Sequence, residues 1–192
     1  DADGFLFKTT DGGQSWAQIS EYASIRFLFR DMDIRSATLI ELHTSRGLHR
    51  STNGGLTFTE ILNVNSNGSE FGEVSLSSIQ RLNDQYWLAG SNTSILHSDD
   101  DLMTVANQIG GARTAFNAIS AEGDNIYALT FQDGVTRSLN GGESFEVLPP
   151  TNFTTGYYIE TLNDGRIITS GNGQPKVSSD QGVSFENFIP SS

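Results

Sequence analysis

Short apolar-rich runs, separated by clusters of Asn, Asp and Gly, follow one another along the whole chain. Near the C-terminus, YYIETL (157–162), the turn NDG (163–165) and RIITS (166–170) read as a hairpin. The loop GNGQP (171–175), the run KVSS (176–179) and a closing run FENFI (185–189) follow. The same order precedes it: AFNAISA (115–121), EGDN (122–125), IYALTF (126–131), QDG (132–134), VTRS (135–138) and FEVL (145–148). Further upstream come VSLSSIQRL (74–82), NDQ (83–85), YWLAG (86–90), SNTS (91–94) and ILHS (95–98). Before those, SIRFLF (24–29) and ATLIEL (37–42) flank a turn at DMDIR (31–35), and HTSRG (43–47) loops to LHRS (48–51). FLFKT and WAQI open the chain. β-Rich runs with turn chemistry at this spacing predict an all-β protein, and no window carries a helical apolar period.

Between the last two runs of each unit stands a recurring octapeptide: TTDGGQSW (9–16), STNGGLTF (51–58), SLNGGESF (138–145) and SSDQGVSF (178–185), with a worn copy, SDDDLMTV, at 98–105. Its third residues, Asp11, Asn53, Asp100, Asn140 and Asp180, stand 42, 47, 40 and 40 residues apart. A fixed period of this length marks a repeat architecture. The third-position oxygen can bond backbone N–H groups one or two residues ahead, and the Ser or Thr at the first position adds a hydroxyl to the same turn. A glycine at the fifth position suits a positive φ. The eighth-position rings, Trp16, Phe58, Phe145 and Phe185, are expected to enter the core as the first inward residue of the next strand. Leu102 and Val105 replace the glycine and the ring in the worn copy, so that turn is expected to be reshaped and loosely packed.

The pattern Ser/Thr-x-Asp-x-Gly-x-x-Trp/Phe resembles the Asp-box, or bacterial neuraminidase repeat, of sialidases, xyloglucanases, sortilin-type receptors and photosystem assembly factors. The resemblance spans the chain from 9–16 to 178–185. It implies a β-propeller of four-stranded antiparallel blades, with the box on the turn between the third and fourth strands and ligands on the opposite face. On that reading Asp11, Asn53, Asp100, Asn140 and Asp180 and the rings after them are structural. Four strands in about 40 residues match one blade.

Residues 1–192 are expected to form one propeller domain of about four full blades and a half blade, since only two runs accompany the first box. That leaves a small ring with an imperfect seam or, the favoured reading, a portion of a larger propeller completed by further blades or a partner chain.

Composition narrows the setting. At 36% hydrophobic and 18% charged, the chain draws its polarity from Ser, Thr, Asn and Gly, as exported β proteins do. It has no cysteine, which removes disulfides, thiolate nucleophiles and Cys-ligated zinc. No membrane-spanning run is present. A net charge of −12 opposes binding to nucleic acid or an anionic membrane. A secreted or cell-surface protein of bacterial origin is expected. N-glycosylation sequons stand at Asn67, Asn92 and Asn152.

Catalytic chemistry finds little purchase. A hard cation wants six to eight oxygens, and the adjacent Asp99, Asp100 and Asp101 cannot all face one ion, so neither a metal nor a cofactor is expected. The sialidase resemblance implies three arginines and a Tyr–Glu pair, and the string IRFLFR (25–30) lacks the proline of the family's upstream motif. A glycosidase needs two carboxylates astride a bond; Glu41, Glu73, Asp133 and Glu160 are candidates among many acids. His43, His49 and His97 are scattered, the last two on strands where packing is expected. No catalytic residue is assigned.

The box-free face is the place to expect binding. Its second-to-third-strand loops and inter-blade connections gather Arg46, Phe71, Asn92, Arg113, Phe131, Tyr157 and Asn172, and aromatics beside amide and guanidinium groups suit a glycan or a protein partner. Tyr158, alternating with Tyr157, is expected to turn inward. The chain thus reads as a non-catalytic extracellular binding or scaffold module, the alternative being part of a polysaccharide-processing glycoside hydrolase.

Overall fold

The computed structural model describes residues 4–22, 29–64, 75–90, 94–109, 115–130, 134–148 and 156–188. Among these residues every regular element is a β-strand. β1 (Gly4–Lys8) pairs with β2 (Ala17–Tyr22) as a two-stranded sheet. The other strands form four four-stranded sheets in sequence order. They are β3 (Phe29–Ile34), β4 (Ile40–Thr44), β5 (Gly47–Ser51) and β6 (Thr59–Asn63); then β7 (Leu76–Leu82), β8 (Gln85–Gly90), β9 (Ile95–Ser98) and β10 (Ala106–Ile109). β11 (Phe116–Glu122), β12 (Asn125–Thr130), β13 (Val135–Ser138) and β14 (Glu146–Val147) make the next. β15 (Gly156–Thr161), β16 (Ile167–Gly171), β17 (Lys176–Ser178) and β18 (Glu186–Asn187) make the last. Within each sheet the strands pair antiparallel in sequence order. The chain divides into two compact units, Asp1–Glu70 and Phe71–Ser192.

One segment corrects the apolar pattern. DMDIR, expected as a turn, lies mostly in β3, where Met32 pairs with Leu42 and Ile34 with Ile40. Residues 24–28 of the expected strand lie outside the described residues. Strict alternation of Asp31, Met32, Asp33 and Ile34 is a period-two signal that the denser apolar run beside it obscured. HTSRG also contracts to a turn at 45–46, because the Thr44 hydroxyl accepts the N–H groups of Arg46 and Gly47 at 3.3 and 3.2 Å.

All five octapeptides make the same turn, between the third and fourth strands of each four-stranded sheet and between β1 and β2. The first-position hydroxyl accepts the N–H of the fifth residue: Thr9 from Gly13, Ser51 from Gly55, Ser98 from Leu102, Ser138 from Gly142 and Ser178 from Gly182, at 2.8–2.9 Å. The third-position oxygen accepts the N–H of the seventh residue, four places ahead and not one or two as the sequence implied. It also bonds that residue's hydroxyl. Asp11, Asp100 and Asp180 accept from Ser15, Thr104 and Ser184, whereas Asn53 and Asn140 donate to Thr57 and Ser144.

The worn copy is not reshaped. Asp101 and Leu102 hold φ of 59° and 68°, matching Gly141 and Gly142 at 67° and 88°. A leucine there costs about 1–2 kcal/mol of left-handed strain. Its side chain is buried, which returns about 1.5–3 kcal/mol, so the turn keeps its form. Two side-chain anchors and a buried leucine outweigh the missing glycine.

Sheet-on-sheet packing is clearest in the unit 71–192. Ile119, Ala121, Ile126 and Ala128 of the β11–β14 sheet share a core with Trp87, Ala89 and Ile95 of the sheet before it. Ile159 and Ile167 pack likewise on Tyr127, Leu129, Val135 and Leu148. Gly142 shows why its position excludes a side chain: a Cβ would overlap the Trp87 ring. The eighth-position rings only cap these cores. Phe145 and Phe185 are half-buried, each against the core formed with the preceding sheet, and Phe145 meets Trp87 edge-on at 6.1 Å. Trp16, expected inside, is 61% exposed; among the described residues no sheet precedes β1–β2 to cover this ring.

Candidate functional site

The first strand of every four-stranded sheet carries a bulge close to its start. Register slips at Phe29/Asp31, Leu76/Ser78, Phe116/Ala118 and Gly156/Tyr158, leaving Arg30, Ser77, Asn117 and Tyr157 as the extra residues. A bulge re-aims the side chains around it and ends strict alternation. This is why Tyr157 and Tyr158 are both about half exposed, and why the expected inward turn of Tyr158 does not occur.

These bulges lie at the end of the sheets away from the octapeptide turns, where first strands begin and second strands end. In the unit 71–192 the first strands are stitched together there and along their length. Asn117 Nδ2 donates to the Gly156 carbonyl at 2.7 Å, and Ser120 Oγ lies 3.2 Å from Thr161 Oγ1 while accepting the Thr161 N–H at 3.0 Å. Gly156 permits the approach, since a Cβ would overlap the Leu129 side chain. The result is a rigid platform carrying Tyr157, Tyr158 and Asn172. Gly156 pairs with Gly171, which brings exposed Asn172 to the same end of the sheet as Tyr157. The Tyr158 hydroxyl donates to Glu160 at 3.0 Å, and the residue is 52% exposed.

Of the other residues expected in binding, Arg46 is exposed at the tip of the β4–β5 turn, in the unit 1–70. Phe71, Asn92, Arg113 and Phe131 lie outside the described residues, as do Glu73 and Asp133. The bulged residues Ser77 and Asn117 escaped sequence reasoning. So did the hydroxyl at the seventh octapeptide position, although Ser15, Thr57, Thr104, Ser144 and Ser184 announce it in all five copies.

The titratable groups divide by role. Glu41 is fully buried, with Arg50 at 2.8 Å and Arg35 at 3.5 Å. Breaking such a pair strands a buried charge, at about 3–5 kcal/mol, so Glu41 serves the fold. His43, His49 and His97 all hold lowered pKa values, because burial penalises the imidazolium. His97 stacks on Trp87 at 4.0 Å, the packing role expected of it. The octapeptide carboxylates are committed: hydrogen bonds from Ser15 and Thr9 hold Asp11 at about 2, and those from Ser184 and Ser178 hold Asp180 at about 2. Asp100 is lowered by Thr104 and Ser98, and its neighbour Asp101 accepts the Tyr86 hydroxyl at 3.3 Å. A hollow of about 290 Å³ beside β13 and β14 is lined by Arg137, Phe145 and Glu146 among others. There Arg137 is spent on Glu146 at 2.7 Å and the Gln181 carbonyl at 2.6 Å.

No protein-family model and no curated protein sequence matches this chain. Solved structures do. An ancestral GH74 enzyme (AFV00434) superposes with a TM-score of 0.68 at 13% identity, covering 95% of this chain and 28% of its own. YCF48 bound to D1 peptide gives 0.60 at 14%, with 82% and 52% covered. The extracellular domain of the putative one component system BT4673 from B. thetaiotaomicron gives 0.62 at 13%, with 88% and 23% covered. The fold is a β-propeller's. The four-stranded sheets are its blades, and this chain spans about half or less of the length of these three structures.

Proposed function

We propose that residues 1–192 belong to one Asp-box propeller domain that works outside the cytoplasm as a non-catalytic binding or scaffold module. The observation that carries this reading is the pair Tyr157 and Tyr158, about half exposed on a rigid strand and beside Asn172. Aromatic faces held with little remaining conformational freedom, next to an amide, give contact area at low entropic cost. The partner is a protein segment or a glycan, with Arg46 and the loop residues Phe71, Asn92, Arg113 and Phe131 contributing where they reach it. A propeller bound to a peptide and an extracellular propeller domain among the similar structures agree with this.

A second reading, part of a glycoside hydrolase, draws on the likeness to a GH74 enzyme; fold likeness alone does not carry activity. Glu41 is buried in its ion pairs and Glu160 is engaged by Tyr158, which leaves neither as a free acid. A glycan and peptide array read for both retention and hydrolysis separates the readings. Retention without turnover, lost in Tyr157→Ala/Tyr158→Ala, is expected; release of reducing sugar by this chain would overturn the module reading.

A further inference from the structure

Asparagine stands directly before glycine at Asn53–Gly54, Asn67–Gly68, Asn140–Gly141 and Asn172–Gly173. Asn67 lies outside the described residues, and the structure holds the other three in two opposite ways. This dipeptide is open to a reaction of the chain with itself, because glycine puts no Cβ between its own nitrogen and the asparagine side chain. The glycine nitrogen bonds to the side-chain amide carbon. Its proton ends on the departing amide nitrogen, which leaves as ammonia. Water then opens the cyclic imide at either carbonyl, giving aspartate or the isomer linked through its side chain. The new acid's proton passes to the ammonia, so the chain gains one negative charge and water is the only co-reactant.

Both partners of that reaction are tied down in the octapeptides. Asn53 Oδ1 accepts the Ser51 hydroxyl at 2.9 Å and the Thr57 N–H at 3.0 Å, and its Nδ2 donates to Thr57 Oγ1 at 2.8 Å. Asn140 is held in the same way by Ser138 and Ser144. The attacking nitrogen is held as well: the Gly54 N–H donates to the Thr38 carbonyl and the Gly141 N–H to the Asp124 carbonyl, both at 2.9 Å. An aspartate product would be no misfit there, since Asp11, Asp100 and Asp180 fill the same position with the same backbone bond. The obstacle is one of access, because these turns must open before the reacting atoms can meet.

Asn172 has none of these restraints. It follows β16 in an exposed stretch over residues 172–175. Among the described residues no hydrogen bond engages its side chain or the Gly173 N–H. Gly173 holds φ at 128°, and nothing lies within 4 Å of the place its Cβ would occupy. Exposed loop tips of small and polar residues are where tolerated change concentrates. We propose that Asn172–Gly173 is a self-modification site, where the free side-chain amide is converted to aspartate and isoaspartate while Asn53 and Asn140 are kept intact by their turns. The product sets a new negative charge at the end of the sheet that carries Tyr157. Its formation does not depend on a partner binding there.

The test incubates the intact chain at mildly alkaline pH, folded and in urea, and follows each asparagine by peptide mapping with mass spectrometry. Enzymatic methylation of isoaspartate gives a second readout. In the folded chain Asn172 is expected to convert at least tenfold faster than Asn53 or Asn140. In urea the three rates are expected to agree within about threefold, because each asparagine then precedes an unrestrained glycine. Gly173→Ala is expected to slow Asn172 at least tenfold and to leave the other two sites unchanged. Reading that variant in urea as well keeps the comparison independent of how well it folds. Similar folded-state rates at the three sites, an Asn172 that stays intact, an order of rates that survives in urea, or a Gly173→Ala chain that converts as fast as the parent would overturn the proposal.

Discussion

Two tryptophans, one in each unit, measure what a neighbouring sheet does for a blade. Trp87 is buried to 1% exposure between its own His97 and the Gly142 turn of the following sheet. Trp16, on a turn of the same form in the other unit, is 61% exposed. Trp16 ends an octapeptide turn of its own sheet, whereas Trp87 lies within β8 and packs against such a turn of the next sheet. What differs is whether another sheet lies against the face in question. A propeller blade is amphipathic on both faces, so its side chains gain their burial from adjacent blades. Met32 and Ile34, 41% and 62% exposed, stand at the register of Ile119 and Ala121, which are buried at 3% and 6%.

That contrast is open to direct attack. As the only tryptophans in the chain, Trp16 and Trp87 allow each unit to be followed by its own fluorescence once the other is changed to Phe. The largest difference is expected from truncation: Trp87→Ala loses about 3–5 kcal/mol in urea unfolding, whereas Trp16→Ala stays within about 0.5 kcal/mol. Equal losses would mean that burial by the neighbouring sheet does not set the stability. Ile119→Ala against Ile34→Ala repeats the test without a ring, at about 2–4 kcal/mol against less than about 0.5 kcal/mol. Glycine substitutions sharpen it differently. Gly142→Ala meets the Trp87 ring and is expected to lose about 3 kcal/mol. Gly13→Ala, with its nearest neighbour 4.0 Å away at the same kind of φ, pays only the left-handed strain, about 1 kcal/mol.

Smaller still is Leu102→Gly. Relief of backbone strain offsets part of the lost burial, so a net loss of about 1 kcal/mol is expected in the same titration. A gain in stability would show that the leucine side chain contributes nothing to that turn. The smallest effect is on acidification. Asp11 and Asp180 have folded values near 2 against an ordinary 3.8. Their contribution is therefore complete above about pH 4 and fades as pH falls through 2, since the unfolded chain takes up the protons first. Asp180→Asn, which copies the arrangement at Asn53 and Asn140, is expected to flatten the share of that slope due to Asp180 in melting curves between pH 4 and 2.

Much of the fold was legible because the octapeptide carries its own structure. Ser or Thr, Asp or Asn, and Gly in fixed order bond mainly to their own backbone, so the turn survives even in SDDDLMTV. The turns between first and second strands, NDG and EGDN among them, were equally plain. β3 was harder to read, since DMDIR looks polar although its alternation is strand-like. The candidate site was legible only in outline. Tyr157 and Asn172 emerged from loop placement, but the exposure of Tyr158 depended on a bulge that Gly156 makes possible by its fit against Leu129. No local signal in GYYIET distinguishes that bulge from regular alternation.

Read alone, the residues determined the period, the strands and the pinned turns, because those depend on contacts within a few positions along the chain. Tertiary structure alone decided which faces are covered, which is why residues at equivalent register such as Ile119 and Met32 differ in burial. Burial in a stacked-sheet protein is a property of the sheet next door, and its identity is written some 40 residues away.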